Sequence, residues 1–218
     1  MRAEELLQHL SLTTSGPYLR PFTPVLNWRE ARVFIVGTNP ATPLRDEFAS
    51  FESYWDALTL YPEAFEAVYM AQRSGKRSKT ASRAKRFEHS LGDIVVLRTN
   101  ACALPSGKWA DIPVNVQREQ LAHGQRILGA LVDLCQPAAI LAHGKVGVEA
   151  VSTLFSTSLD PYVPLLEQSA KVSLAPGLAP VQLFAYPHLS GMGAGKGFAV
   201  SRMDQELTAL GCKIASEL

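Results

Sequence analysis

Val33-Phe34-Ile35-Val36-Gly37-Thr38-Asn39-Pro40 sets four large apolar residues in a row and then stops on Gly-Thr-Asn-Pro. A run that short and uniformly apolar, rich in β-branched side chains, reads as a strand buried on both faces. Such strands belong to parallel sheets covered by helices. We place the strand over 32–36, ending at Gly37, and the loop behind it as one wall of an active-site pocket. Ligands of open α/β sheets bind beyond the carboxyl ends of the strands.

The flanking segments repeat the pattern. Apolar strands are expected over 93–98, 138–142 and 181–185, and 171–174 is a further strand candidate within the irregular stretch 161–180. Helical spacing covers 3–10, 50–58, 62–73, 78–90, 114–136, the segment from 144 through 151, and 194–210. A proline-containing loop through Pro17, Pro21 and Pro24 separates the first helix from the first strand. The expected fold is a three-layer α/β domain with a central four-stranded, mainly parallel sheet and helices on both faces. One domain spans 1–218, with a basic helical insert at about 61–90.

Bulk properties narrow the function classes. With 218 residues and 47% hydrophobic content, the chain can bury a full core as one domain. Its start lacks the charged and apolar regions of a signal peptide, and no apolar run is long enough to span a bilayer. We therefore expect a soluble cytoplasmic protein, monomeric and without a membrane partner. Cys102, Cys135 and Cys212 are odd in number and far apart. That pattern argues against a disulfide framework, a zinc site or an iron–sulfur cluster, and we expect neither metal nor cofactor.

The net charge of +1 conceals an asymmetry. Seven basic residues and no acidic one lie between Arg73 and Arg86: Arg73, Lys76, Arg77, Lys79, Arg83, Lys85 and Arg86. Such a block fits a polyanion contact or, equally, a solvated helix face.

Four polar or Gly/Pro-rich loops follow the strands: 37–41, 99–106, His143-Gly144 and 187–195. Their convergence would bring together Asn39, Asn100 and His188. An Asn offers a donor and an acceptor, enough to read a flat amide-like edge. A His can donate to an oxygen that gains negative charge. Cys102 has no adjacent base and no Ser sits in a nucleophile elbow, so covalent hydrolysis is disfavoured. The run from Gly191 to Gly197 departs from a phosphate loop because Gly197 follows Lys196 where a hydroxyl should stand.

These motifs, in this order, resemble the uracil-DNA glycosylase superfamily over residues 32–210. Val33-Phe34-Ile35-Val36-Gly37-Thr38-Asn39-Pro40 is similar to its first motif. Val95-Val96-Leu97-Arg98-Thr99-Asn100 is similar to the strand whose final Asn reads the base. Ile140-Leu141-Ala142-His143-Gly144 is similar to its third strand, and His188-Leu189-Ser190-Gly191-Met192 to its second motif. The trio Asn39, Asn100 and His188 most resembles the single-strand-selective class.

The resemblance implies a monofunctional DNA glycosylase that flips uracil or another deaminated base out of DNA and hydrolyses its N-glycosidic bond during base excision repair. It implies that Asn39 orients the attacking water, that Asn100 pairs with the base edge and that His188 stabilises the leaving base. Gly37, Thr38 and Pro40 would complete the substrate loop. Phe51 would stack under the base, with Phe48 as its rival, and both are equally readable as core. Met192 would wedge into the duplex. Ser190, Gly191 and Lys196 would hold phosphate near the start of the last helix, and Arg77, Lys79 and Arg83 would add attraction to DNA.

The chain departs from the family at Leu189, where Pro is usual, and at Ala41-Thr42, where many members have Gly or Tyr. The cluster cysteines of thermophile-type members are absent. Two alternatives stay open. One is a catalytically weak or inactive glycosylase-like protein that binds nucleic acid or a nucleobase. The other is an α/β enzyme for a small metabolite.

Overall fold

β1 (Val33–Gly37) sends its side chains alternately into two separate cores. Phe34 and Val36 enter one cluster, and Val33 and Ile35 the other. β3 (Ala139–His143) splits in the same way, Ile140 and Ala142 against Ala139 and Leu141. So does β5 (Val181–Tyr186), with Leu183 and Ala185 opposite Phe184 and Tyr186. Successive side chains of a strand face opposite ways, so a strand buried on both faces must be apolar throughout. The computed structural model describes residues 3–75, 78–173, 179–191 and 199–218.

Among these residues one five-stranded sheet forms, ordered β2-β1-β3-β5-β4, with β2 at Val96–Asn100 and β4 at Ala170–Val172. β1, β2, β3 and β5 run parallel, while β4 pairs antiparallel with β5. The expected count of four strands is thus corrected to five. β4 is a three-residue edge strand with no fully buried residue, so it carries little apolar pattern. β2 also begins later than expected, at Val96 opposite Val33. Ile94 and Val95 lie ahead of the ladder and pack against opposite cores.

One face of the sheet is covered by α1 (Ala3–Ser11), α2 (Phe51–Thr59), α5 (Val114–Cys135) and α6 (Gly144–Leu154). Their Leu7, Trp55, Leu128 and Val151 share the first core. Ser50 starts α2 through a reciprocal capping box with Ser53, which satisfies two backbone donors at the helix start.

The basic segment contributes α3 (Pro62–Gln72) and α4 (Lys79–Ser90). It is built into both layers: Phe65 of α3 is buried in the first core, and Ala84 and Phe87 of α4 in the second. α4 packs there against α7 (Met203–Glu217), where Met203, Leu207 and Leu210 are fully buried. Burying each large side chain contributes roughly 1.5–3 kcal/mol.

The last helix therefore starts at Met203, well after the expected 194, behind a single 3-10 turn at Val200–Arg202. Its first turn carries Asp204 and Glu206. Those carboxylates are favourable at a helix start. Among the described residues no helix is long and apolar enough to cross a membrane.

The proline-containing segment runs along the free side of β2. Phe22 and Thr99 form an antiparallel bridge, and Thr23 and Arg20 donate backbone hydrogen bonds to Arg98 and Ala103. This covers a sheet edge that would otherwise expose unpaired backbone groups.

Candidate functional site

Gly37 ends β1 in register with Asn100, the last residue of β2. The backbone allows no side chain at Gly37. A Cβ there would lie 2.9 Å from the Asn100 side-chain oxygen and 3.0 Å from His143 Nε2. Asn100 and His143, which ends β3, therefore close on the same point from two neighbouring strands. Gly147, one turn into α6, is equally constrained, since a Cβ would stand 2.7 Å from the Val36 carbonyl. The first turn of α6 is thereby seated on the end of β1.

His188 packs against His143 from the loop after β5. The His143 and His188 rings meet edge to face with centroids 5.2 Å apart. Gly144 makes room for the contact: its φ is +71°, and a Cβ would fall 2.9 Å from His188 Cδ2. The Ser190 backbone N–H donates to His188 Nδ1 at 3.2 Å, and the Ser190 hydroxyl lies 2.7 Å from the same atom. Nδ1 is thus an acceptor, which assigns the proton of the neutral ring to Nε2. Burial lowers the pKa of His188, favouring that neutral form.

His143 is more extreme. It is 4% exposed, and burial, reinforced by His188, depresses its pKa to about 3. Its Nδ1 is buried without a hydrogen-bond partner. A buried unpartnered imidazole nitrogen costs stability, and its place beside Gly37 and His188 adds His143 to the candidate site. In the sequence His143 reads only as a strand end. Its signal was a polar residue closing an otherwise apolar strand directly before a glycine.

Asn39 lies two residues beyond Gly37, on a loop that continues the β1–β2 pairing. Ala101 and Cys102 donate to the carbonyls of Gly37 and Thr38, and Ser106 to that of Pro40. The Asn39 amide nitrogen donates to the carbonyls of Pro40 at 3.0 Å and Ser106 at 3.1 Å. Two carbonyl acceptors around one end of the amide define it as the NH2 end. Oδ1 is then left as an acceptor facing away from them. Among the described residues no hydrogen bond of Asn39, Asn100, His143 or His188 involves a carboxylate.

The departure at Leu189 has a structural account. Leu189 is fully buried in the second core, beside residues of α4 and α7. Its carbonyl accepts from Arg83 Nη1 at 2.6 Å, and Arg83 Nε pairs with Asp204 at 3.2 Å. Arg83, expected to attract DNA, fastens the His188 loop to α4 and α7. Gly191 completes the turn at φ +81°, its N–H donating to the His188 carbonyl. Ser190, expected to hold phosphate, contacts His188.

Phe51 and Phe48 lie together in an aromatic group. Phe51 packs with Tyr18, Tyr54 and Trp55, and Phe48 with Tyr54 and Phe65. Phe51 is buried and Phe48 half-buried. Lys79 is exposed on α4. Met192, Lys196 and Arg77 lie outside the described residues.

Burial pushes the Cys102 thiol up to about 11 and Cys135 up to about 12, so neither is a thiolate nucleophile at neutral pH. Among the described residues no group of three His, Cys, Asp or Glu side chains is placed to hold a metal. A solvent-open hollow at the β4 edge, lined by Gln168, Lys171, Gln182, Lys213 and Glu217, contains none of the residues above. There Gln168 serves the fold, its amide completing the backbone hydrogen bonds of Ala185 where β4 stops. The chain matches no protein-family model, and no curated protein aligns with it significantly.

Proposed function

We propose that this protein is a monofunctional DNA glycosylase of the uracil-DNA glycosylase type, hydrolysing the bond between deoxyribose and uracil or another deaminated base. The observation that carries the reading is that Asn100 and His143 close on Gly37 while His188, held as an Nε2–H donor, packs against His143. A flipped base presents an amide-like edge, which the donor and acceptor of Asn100 match. As the bond from C1′ to the base breaks, its electron pair moves onto the base. The His188 Nε2–H hydrogen bond to a base oxygen then strengthens. Water adds to C1′, aligned by Asn39 Oδ1. An amide cannot deprotonate water, so Asn39 positions and the proton leaves with the departing base or solvent.

Purified protein in excess over oligonucleotides carrying one uracil, hypoxanthine or xanthine should generate alkali-labile abasic sites in at least one of them. Full retention of every modified base, in single and double strands alike, sinks the reading.

The wholly neutral side chains of the site favour a second reading, in which the same pocket binds a base without cleaving it. Salt-dependent oligonucleotide binding with no abasic product selects that alternative.

A further inference from the structure

The two asparagines of the candidate site differ in one respect. Asn39 has its NH2 end fixed by the carbonyls of Pro40 and Ser106. The Asn100 side chain makes no hydrogen bond among the described residues, so no such bond fixes which end of its amide faces which way. An amide turned end for end exchanges its donor and its acceptor. Asn100 alone would therefore fit two kinds of base edge. Uracil and hypoxanthine, which are deaminated bases, present a carbonyl beside an N–H. Cytosine and adenine, their parents, present an amino group beside a bare ring nitrogen.

His143 supplies the missing direction. Its Nε2 and the Asn100 Oδ1 lie 3.0 Å and 2.9 Å from one point, the place a Cβ on Gly37 would take. The ring is 4% exposed, and its Nδ1 is buried without a hydrogen-bond partner. His123, by contrast, serves the packing of α5 on α1 and sets its Nε2 2.6 Å from the Leu10 carbonyl. A neutral imidazole carries its proton on one nitrogen only. On Nδ1 that proton would be a buried orphan donor, a rarer defect in folded proteins than an unused lone pair. The proton therefore belongs on Nε2, the nitrogen beside Asn100. Burial, reinforced by His188, keeps the ring neutral. So does its place at the start of α6, where the helix dipole is positive and the first turn has no acidic residue.

We propose that His143 is a positioning residue for base selection: its Nε2–H holds the Asn100 amide with Oδ1 on the His143 side, so that only a deaminated base finds a matching edge. The proposal rests on the nucleic-acid reading given above. The Asn100 oxygen has two lone pairs, one for His143 and one for the N–H of the base, while its NH2 meets the base carbonyl. Cytosine or adenine would set donor against donor and acceptor against acceptor. Unpaired buried polar groups are what let a hydrogen-bonding site reject the wrong ligand.

Competition binding tests the role, with single-stranded oligonucleotides that carry one uracil or one cytosine among adenines. The wild type should favour the uracil oligonucleotide by about tenfold or more, and His143→Phe, which keeps a buried ring and removes the donor, by about twofold or less. Because the buried nitrogen has no partner, His143→Phe should melt no lower than the wild type. His143→Gln returns an amide nitrogen to the same region. It should recover uracil affinity but little preference, since its own amide can turn. A wild-type preference in His143→Phe overturns the role, and His143→Gln decides in its place if the Phe variant does not fold. Equal binding of the two oligonucleotides by the wild type overturns it as well. In the free protein, long-range nitrogen–proton correlation spectra should find the His143 proton on Nε2, and a proton on Nδ1 contradicts the proposal without any DNA present.

Abasic-site formation in the same samples separates this role from the glycosylase reading. A uracil preference that depends on His143 without abasic product keeps the role and removes that reading. Uracil excision with a preference unaltered in His143→Phe does the reverse.

Discussion

The two loops that flank the candidate site are held by opposite kinds of force. The Asn39 loop is fixed by polar contacts: its backbone continues the β1–β2 pairing, and the Asn39 amide reaches across to Ser106. The His188 loop is fixed by burial: Leu189 is sunk in a core between α4 and α7, and Arg83 clamps its carbonyl. Stability and the proposed chemistry are thus shared within the same few residues on the first loop. On the second they are divided, with Leu189 anchoring and His188 packing on His143. Substitutions should separate the two cases.

The largest effect is expected at Leu189. Leu189→Ala leaves a cavity in a fully buried position and should cost about 2–5 kcal/mol in denaturant unfolding. Excision should fall with it, because the His188 loop loses its anchor. A loss below about 1 kcal/mol would show that the loop is held by something else.

A smaller effect, confined to acid, is expected at His143. In the unfolded chain its imidazole takes up a proton near pH 6.5, whereas in the fold it does so only near pH 3. The unfolded state then binds more protons across that window, so stability falls as pH drops from 6.5 toward 3. The contribution of this one residue reaches about 2 kcal/mol at pH 5. His143→Asn should flatten that acid limb of the stability profile. An unchanged slope between pH 7 and 5 contradicts a His143 kept neutral by burial.

The smallest stability effect belongs to Asn39. Asn39→Ala removes two neutral, partly exposed hydrogen bonds and should cost about 1 kcal/mol. Its excision rate should nevertheless drop by well over tenfold. Comparable losses of stability in Asn39→Ala and Leu189→Ala would erase the contrast between the loops.

The sequence made the central strands legible because two-sided burial writes itself as unbroken apolar runs, as in Val33–Val36 and Ala139–Ala142. It showed β4 only as a candidate at 171–174, because its three residues sit at an edge with only one neighbouring strand. It also hid the start of α7, since helical spacing cannot distinguish a helix from the turn that precedes it. At the site, Asn100 and His188 were legible as polar residues closing apolar strands or following them. The approach of His143 to Gly37 and to His188 depends on Gly37 and Gly144 leaving room, which is a property of three dimensions. The pairing of Arg83 with Asp204 was hidden for a similar reason: the basic block records charge, while the pairing joins residues 121 apart.

The most direct test of the account is the single-turnover rate of uracil release by wild-type protein, Asn100→Ala and His188→Ala on one single-stranded oligonucleotide, with folding verified by melting temperature. We predict that the wild type releases uracil. Each variant should remain folded and be slower by about 100-fold or more, as expected when a donor that stabilises developing charge is removed. No release by the wild type, or variants that match its rate, would contradict the assignment of Asn100 and His188 to the chemistry around Gly37.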